Sequence, residues 1–277
     1  MKKTGLSALL ALSVLAGCSD GGEKAAQSHL QKAEQALQME QFSEAKLQID
    51  SIKVLYPKAY GARKQGIKLM QQIDLKEQQK TLLYLESQMQ VKQAKLDSIK
   101  GHFVLEKDTA YQEIGNWFYP TQVVEKNVGR SFLRAQVSEL GEMSLTSIYC
   151  AGGKLNHTSV KVSVGDLFAE TPITKDSYTT TDLGVTIEKA DYKVSEDGGV
   201  TSFVVANQDK NIQLTFIGDK TYRTTMQKND RKAIAELVEL ARILSGMEEI
   251  RKQQKEANLK IQFVTRKIEE SNTVPKE

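Results

Sequence analysis

Two long stretches without proline enclose the middle of the chain, and they constrain its fold more than any other feature. Residues 58–100 and 230–270 both carry apolar side chains at helical spacing. In the first stretch one seam position recurs every seven residues from Leu75 to Leu96, as in a coiled coil. The sequence therefore predicts two helices far longer than the three turns of an average helix.

Polar interruptions in these two patterns suggest how the helices pair. Residues 76–80 and 252–256 are both runs of Lys, Gln and Glu. If the helices run antiparallel, the two polar runs lie side by side and Leu85 lies beside Met247. The pattern favours an antiparallel coiled-coil stalk within one chain. Pairing of both helices with those of another protomer is the alternative.

The middle of the chain, residues 103–225, changes to short apolar runs at intervals typical of antiparallel strands. Glycine pairs such as Gly152-Gly153 are hairpin signals between such runs. The candidate strands are 121–126, 130–138, 142–150, 157–164, 184–194, 200–206, 210–217 and 220–225. We expect a β-sandwich-like head with its own core, inserted between the stalk helices.

The first residues have the pattern of an export signal. Two lysines precede the apolar residues 5–17, which are too few to span the bilayer core because a spanning helix needs about 20. A basic start followed by a short apolar run is typical of a secretory signal peptide that is cleaved off. The sequence Leu15-Ala16-Gly17-Cys18 at its end resembles the bacterial lipoprotein box.

This resemblance implies that Cys18 carries lipid on its sulfur and becomes the first residue of the mature chain. Acyl chains then anchor the protein, since each buried CH₂ contributes about 0.8 kcal/mol to membrane binding. In that family Ser19 implies the outer membrane, and the nearby Asp20 leaves export to the cell surface open. The alternative is an ordinary secreted protein in which Cys18 occurs by chance.

Residues 25–57 contain two stripes of apolar residues at helical spacing. A break near Glu40 separates them, and Pro57 ends the second. The second stripe resembles a tetratricopeptide repeat, whose spacing it matches at five positions: Phe42, Ala45, Ile49, Ile52 and Pro57. The first departs from the repeat, with Lys32 where a large apolar residue belongs. A plain helical hairpin and a peptide-binding groove both fit this pattern.

The expected fold class is therefore α+β, with an N-terminal helical hairpin, a two-helix stalk and a β-rich head. The expected order is a signal peptide (1–17), a lipidated tether (18–24), the TPR-like hairpin (25–57), stalk helix 1 (58–102), the head (103–225), and stalk helix 2 with a polar tail (226–277).

Composition argues against several classes of function. The formal net charge of +3 is too small for a dedicated nucleic-acid binder. The chain has only three histidines and two cysteines, and their spacing does not suit a metal centre. We expect no cofactor and no enzymatic activity. The one catalytic-looking pair is Cys150 and His157, which could face each other across a hairpin as a nucleophile and its base.

The densest aromatic cluster, Trp117-Phe118-Tyr119, is a weak candidate for ligand binding. Exposed rings on a sheet can stack on sugars or form an interface hot spot. Alternatively, these rings fill the junction between stalk and head.

The sequence favours a non-enzymatic envelope lipoprotein whose stalk holds the β-rich head away from the membrane for contact with a protein partner. The alternative is a cell-surface module that binds a glycan or another small ligand. The third hypothesis is a Cys–His hydrolase.

Overall fold

The computed structural model describes residues 22–182 and 185–273. The described chain is α+β, as the sequence predicts. It contains five α-helices: α1 (Glu23–Gln38), α2 (Phe42–Leu55), α3 (Tyr60–Ile99), α4 (Val200–Ala206) and α5 (Lys228–Thr273). The two helices expected to be long are continuous over 40 and 46 residues. Among the helices described, none is both long enough and apolar enough to cross a membrane.

Ten described strands form two antiparallel sheets. They are β1 (Val104–Glu106), β2 (Asn116–Phe118), β3 (Phe132–Ser138), β4 (Met143–Tyr149), β5 (Ser159–Val164), β6 (Leu167–Glu170), β7 (Ser177–Asp182), β8 (Val185–Lys193), β9 (Gln213–Ile217) and β10 (Thr221–Thr225). The six-stranded sheet has the order β1-β2-β3-β4-β8-β7, and the four-stranded sheet has the order β10-β9-β5-β6.

The chain divides into two compact units, Met1–Tyr84 with Gln254–Glu277, and Leu85–Gln253. In the first unit, α1 and α2 are joined by a tight turn in which the N–H of Gln41 donates to the carbonyl of Ala36 at 2.8 Å. Its core consists of small and branched apolar side chains. They are Ala26, Leu30, Ala33, Ala36, Leu37, Ala45, Ile49, Ile52, Ala59, Ala62, Leu69 and Ile73.

The core of the second unit combines side chains from both sheets with side chains from helices. Leu145 of β4 and Phe216 of β9 are fully buried in the same cluster as Ile234, Leu237 and Leu240 of α5. The expectation that the head has its own core is therefore wrong in one respect. The first half of the last helix is part of that core, because its wide apolar stripe is covered by the strands.

Two of the predicted strands are not strands. Residues 200–206 form α4, because the carboxylate of Asp197 accepts hydrogen bonds from the backbone N–H groups of Gly199 and Thr201 at 3.0 and 2.8 Å and so caps the first helical turn. Residues 121–126 form a loop that ends in a 3₁₀ turn at Val124–Lys126. The side-chain amide of Asn127 closes this loop on the carbonyls of Thr121 and Val123.

Candidate functional site

A buried polar network in the second unit joins a serine, a histidine and a glutamate. Ser147 lies on β4 and Glu188 on β8, and both point to the apolar side of the six-stranded sheet. His157 lies just before β5. Its Nε2 is 2.8 Å from the Ser147 hydroxyl, and its Nδ1 is 3.1 Å from a carboxylate oxygen of Glu188. Because an ionised carboxylate only accepts, Nδ1 of His157 carries a proton and donates it to Glu188. The Ser147 hydroxyl lies within hydrogen-bond distance of Nε2, of the Ala190 carbonyl and of the Tyr192 hydroxyl.

Glu188 also binds the backbone beside His157. Its carboxylate accepts hydrogen bonds from the N–H groups of Leu155, Asn156 and His157 at 2.6, 2.9 and 3.0 Å. Burial, the largest single influence, raises the pKa of Glu188, but these hydrogen bonds together outweigh it and leave the pKa below its ordinary value. The carboxylate is thus ionised, and backbone and ring N–H groups supply its hydrogen bonds.

The order serine, histidine, carboxylate is that of a hydrolase triad, but this network is sealed. Ser147, His157 and Glu188 are 0%, 2% and 2% exposed. The rings of Phe216 and Tyr149 pack against the His157 ring with centroids 5.3 and 6.2 Å away. No substrate can reach the serine in this arrangement. The network has a structural role, because its hydrogen bonds attach the loop before β5 to β4 and β8.

The structure does not bring Cys150 and His157 together as a nucleophile and its base. Both ring nitrogens of His157 are taken by Ser147 and Glu188, and among the described residues no hydrogen bond joins the ring to the Cys150 thiol. Cys150 is half-buried. The Cys–His hydrolase hypothesis thereby lacks the contact on which it depended.

The aromatic cluster lies at the β2 end of the six-stranded sheet. Trp117 and Tyr119 are half-buried and pack against the core of the second unit. The ring of Phe118 is 3% exposed and is covered by the guanidinium of Arg134, whose carbon lies 4.1 Å from the ring centroid. Ligand binding by these three rings stays a prediction.

Two of the cavities on the described part of the second unit border the six-stranded sheet. The larger, of about 950 Å³, lies among the β3–β4 turn, α4 and α5, and Val205, Val238 and Ala241 form part of its apolar lining. The smaller, of about 450 Å³, crosses the outer face of the six-stranded sheet in front of Arg134. In the first unit an apolar groove of about 340 Å³ lies between α2 and α3, with Ile52 and Ile67 in its wall.

Comparisons with family models, curated proteins and solved structures give no match. Cys18 lies outside the described residues. No group of three His, Cys, Asp or Glu side chains suited to a metal ion occurs in the part of the chain that the structure describes.

Sequence reasoning missed three side chains of the second unit, and two of them carry a visible signal. Ser147 stands between the buried Leu145 and Tyr149, so it occupies an inward position of a strand. Glu188 does the same on β8, two residues before the buried Ala190. A polar residue at an inward position needs a hydrogen-bond partner. The alternation within the strand predicts that such a partner exists but not which residue it is. Arg134, on the opposite face of β3, has no such signal.

Proposed function

We propose that this protein is a non-enzymatic lipoprotein of the bacterial envelope, anchored through lipid on Cys18, whose β-rich unit contacts another protein. In this proposal α3 and α5 form an antiparallel stalk, and the two sheets form a sandwich-like head. The anchor is supported by the apolar segment 5–17 and by the sequence that ends in Cys18.

The stalk is supported by contacts between the two long helices inside each unit. In the second unit Lys95 forms an ion pair with Glu239, and the Lys92 side chain lies against Gly246. The partner number on α5 falls as the number on α3 rises, which is the antiparallel direction. In the first unit Gln78 and Val264 line one cavity. The sandwich is supported by the single core that side chains of both sheets share.

The observation that carries the contact role is the apolar outer edge of the four-stranded sheet. The edge strand β6 pairs with β5. In β6 and just after it, Leu167, Phe168 and Ile173 are 64%, 58% and 79% exposed. Large apolar side chains gathered at a sheet edge are uncommon on isolated proteins, and they mark sites of association. Among the described residues, the hydrogen-bonded pair of Ser147 and His157 is buried, so it gives no support to a hydrolase.

The anchor is tested by fractionation of cells that produce the Cys18→Ala variant. We expect this variant to leave the membrane fraction, because the sulfur that accepts the lipid is lost. Cys150→Ala is the matched control, since it removes the chain's other cysteine, and it should stay with the membranes. Membrane retention of Cys18→Ala equal to that of the wild type would overturn the proposed anchor.

The contact is tested by site-specific photo-cross-linking in intact cells. A cross-linking residue at position 168 should give a discrete protein adduct, and the adduct should disappear when Leu167 is changed to Asp. The same residue at position 223, on the opposite edge strand β10, is the control and should give none. Equal adducts at both positions, or none at position 168, would count against a contact at this edge.

A further inference from the structure

Arg134 is a largely buried cation whose hydrogen-bonding groups are unused. Its side chain is only 14% exposed, and its Nε is buried without a hydrogen-bond partner. The nearest carboxylate oxygen, of Glu106, is 3.7 Å from the guanidinium, which is beyond hydrogen-bond distance. One face of the guanidinium stacks on the ring of Phe118. The side chain is therefore held in place, and no described residue accepts a hydrogen bond from its two terminal nitrogens. These are the donors left for a ligand, because Nε is enclosed by the protein.

The unpaired N–H groups of a buried guanidinium are best matched by a planar, negatively charged acceptor. A guanidinium carries five N–H groups in a planar fork, and a carboxylate matches two of them at once. Burial lowers the pKa of Arg134, and the nearby carboxylates, Glu106 first, only partly oppose that effect. Loss of hydration at this cation is thus incompletely compensated by the protein, so that a carboxylate from outside would be bound favourably.

The groove in front of Arg134 extends across the outer face of the six-stranded sheet. Arg134 of β3 lies opposite Thr146 of β4, which lies opposite Asp191 of β8. Beyond them Tyr178 of β7 ends the groove. Neighbouring strands are about 4.8 Å apart, so the backbones of Arg134 and Tyr178 are roughly 14 Å apart, and both side chains line the groove between them. The groove's volume of about 450 Å³ leaves room for more than a single sugar ring or amino acid.

The groove's lining indicates what the rest of that ligand contains. Its charged side chains are Arg134, Lys189, Lys193, Asp176 and Asp191, which leaves one positive charge in excess. Asp191 accepts a hydrogen bond from the Thr146 hydroxyl, and Asp176 is exposed. Because both aspartates can accept further hydrogen bonds, a ligand that offers donors as well as a carboxylate matches this lining.

Most other side chains in the groove are polar, and its one exposed ring belongs to Tyr178, which is 46% exposed. A flat ring beside polar side chains suits a hydroxyl-rich ligand. It offers little apolar surface for the side chains of a peptide.

We propose that this groove binds an acidic oligosaccharide, with a uronic-acid carboxylate on the Arg134 fork, sugar hydroxyls on Asp191 and Asp176, and a sugar ring on Tyr178. The proposal does not depend on the lipid anchor or on the apolar edge at β6.

Isothermal titration of the purified full chain at physiological salt tests the proposal. The probe is trigalacturonate, and the comparison ligands are maltotriose, which lacks carboxylates, and triglutamate, which lacks sugar rings. Trigalacturonate should bind and the other two should not. No binding of trigalacturonate, or equal binding of triglutamate, would overturn the proposal.

Variants assign the binding to the groove. Arg134→Gln should weaken trigalacturonate binding at least about tenfold, as expected for loss of a charge-assisted bidentate contact, and Arg134→Lys should restore only part of it. Arg223→Gln, at an exposed arginine on β10, is the matched control and should bind as the wild type does. Tyr178→Ala, at an exposed ring, should weaken binding in a chain that folds normally. Binding unchanged by Arg134→Gln or by Tyr178→Ala would contradict the assignment.

Discussion

Glu188 holds His157 at two points, through the backbone N–H at 3.0 Å and through the ring Nδ1 at 3.1 Å. Both hydrogen bonds end on the same carboxylate oxygen, while the other oxygen accepts from Leu155 and Asn156. Three consecutive backbone donors and one ring donor thus depend on a single side chain. Glu188 therefore fixes the position of residues 155–157, which lead into β5.

Glu188→Gln should destabilise the fold, because an amide presents N–H groups where the carboxylate accepts hydrogen bonds. We expect the free energy of unfolding to fall by about 1–3 kcal/mol at pH 7. The pKa of Glu188 lies below its ordinary value of 4.5 in the folded chain. The stabilisation is therefore complete above that pH and is lost as pH falls through the lower, folded-state pKa. Urea titrations at several pH values would measure it.

Glu170→Gln, at an exposed carboxylate of β6, is the control for this experiment. Its unfolding free energy should stay close to the wild-type value at every pH. If Glu188→Gln cost the same free energy at pH 7 and in acid, ionisation of Glu188 would not be the source of the stability.

Ser147 should behave as a structural residue. Ser147→Ala leaves the His157 Nε2 without a partner in an apolar setting, and we expect a loss of about 1–3 kcal/mol in unfolding free energy. A fluorophosphonate probe should not label the native wild-type chain, because the hydroxyl is inaccessible. Labelling that disappears in Ser147→Ala would show instead that the serine opens to solvent and reacts.

Gly141 should not tolerate a side chain. It has φ of +86°, and a Cβ there would lie 2.1 Å from the backbone nitrogen of Ser245 on α5. Gly129 has a similar φ of +74° but open space around it. Gly129→Ala should therefore cost only the backbone strain, about 1 kcal/mol, while Gly141→Ala should cost clearly more. Thermal unfolding of the two variants would compare them, and equal costs would exclude the close approach.

Leu237 and Leu259 offer a matched pair on one helix. Leu237 is fully buried among the strands, whereas Leu259 is 55% exposed. Leu237→Ala should lower the unfolding free energy by about 2–5 kcal/mol, and Leu259→Ala should change it little. The circular dichroism signal of the strands should be lost together with that of the helix. Strands that keep their signal after α5 melts would show a core independent of the helix.

The long helices could be predicted from the sequence because their apolar period repeats over many turns. Pro57 likewise ends the preceding helix, whose last residue is Leu55. The strand prediction failed at 200–206, where four β-branched residues favour a strand. There the cap supplied by Asp197 and the packing of Val200 and Val204 against the core outweigh the intrinsic preference.

The buried network could be predicted only in part. Inward positions on β4 and β8 follow from alternation within each strand, but their meeting depends on which strands pair. β4 lies beside β8 although 35 residues separate them in the chain, and Tyr149 faces Glu188 across that pairing. The residue pattern within one strand does not show which distant strand lies beside it. For the same reason the sequence paired His157 with the nearby Cys150 and not with Glu188.

Because α5 is part of the core, the second unit can complete its folding only after α5 has been synthesised. A ribosome produces all ten strands before it reaches Ile234, Leu237 and Leu240, and these three side chains fill the space that the strands leave among them. Until then the nascent sheets keep an apolar face open to water, a state prone to aggregation. The second unit therefore matures late, only when the C-terminal helix has been released, and a chain truncated before Ile234 should depend on a chaperone to remain soluble.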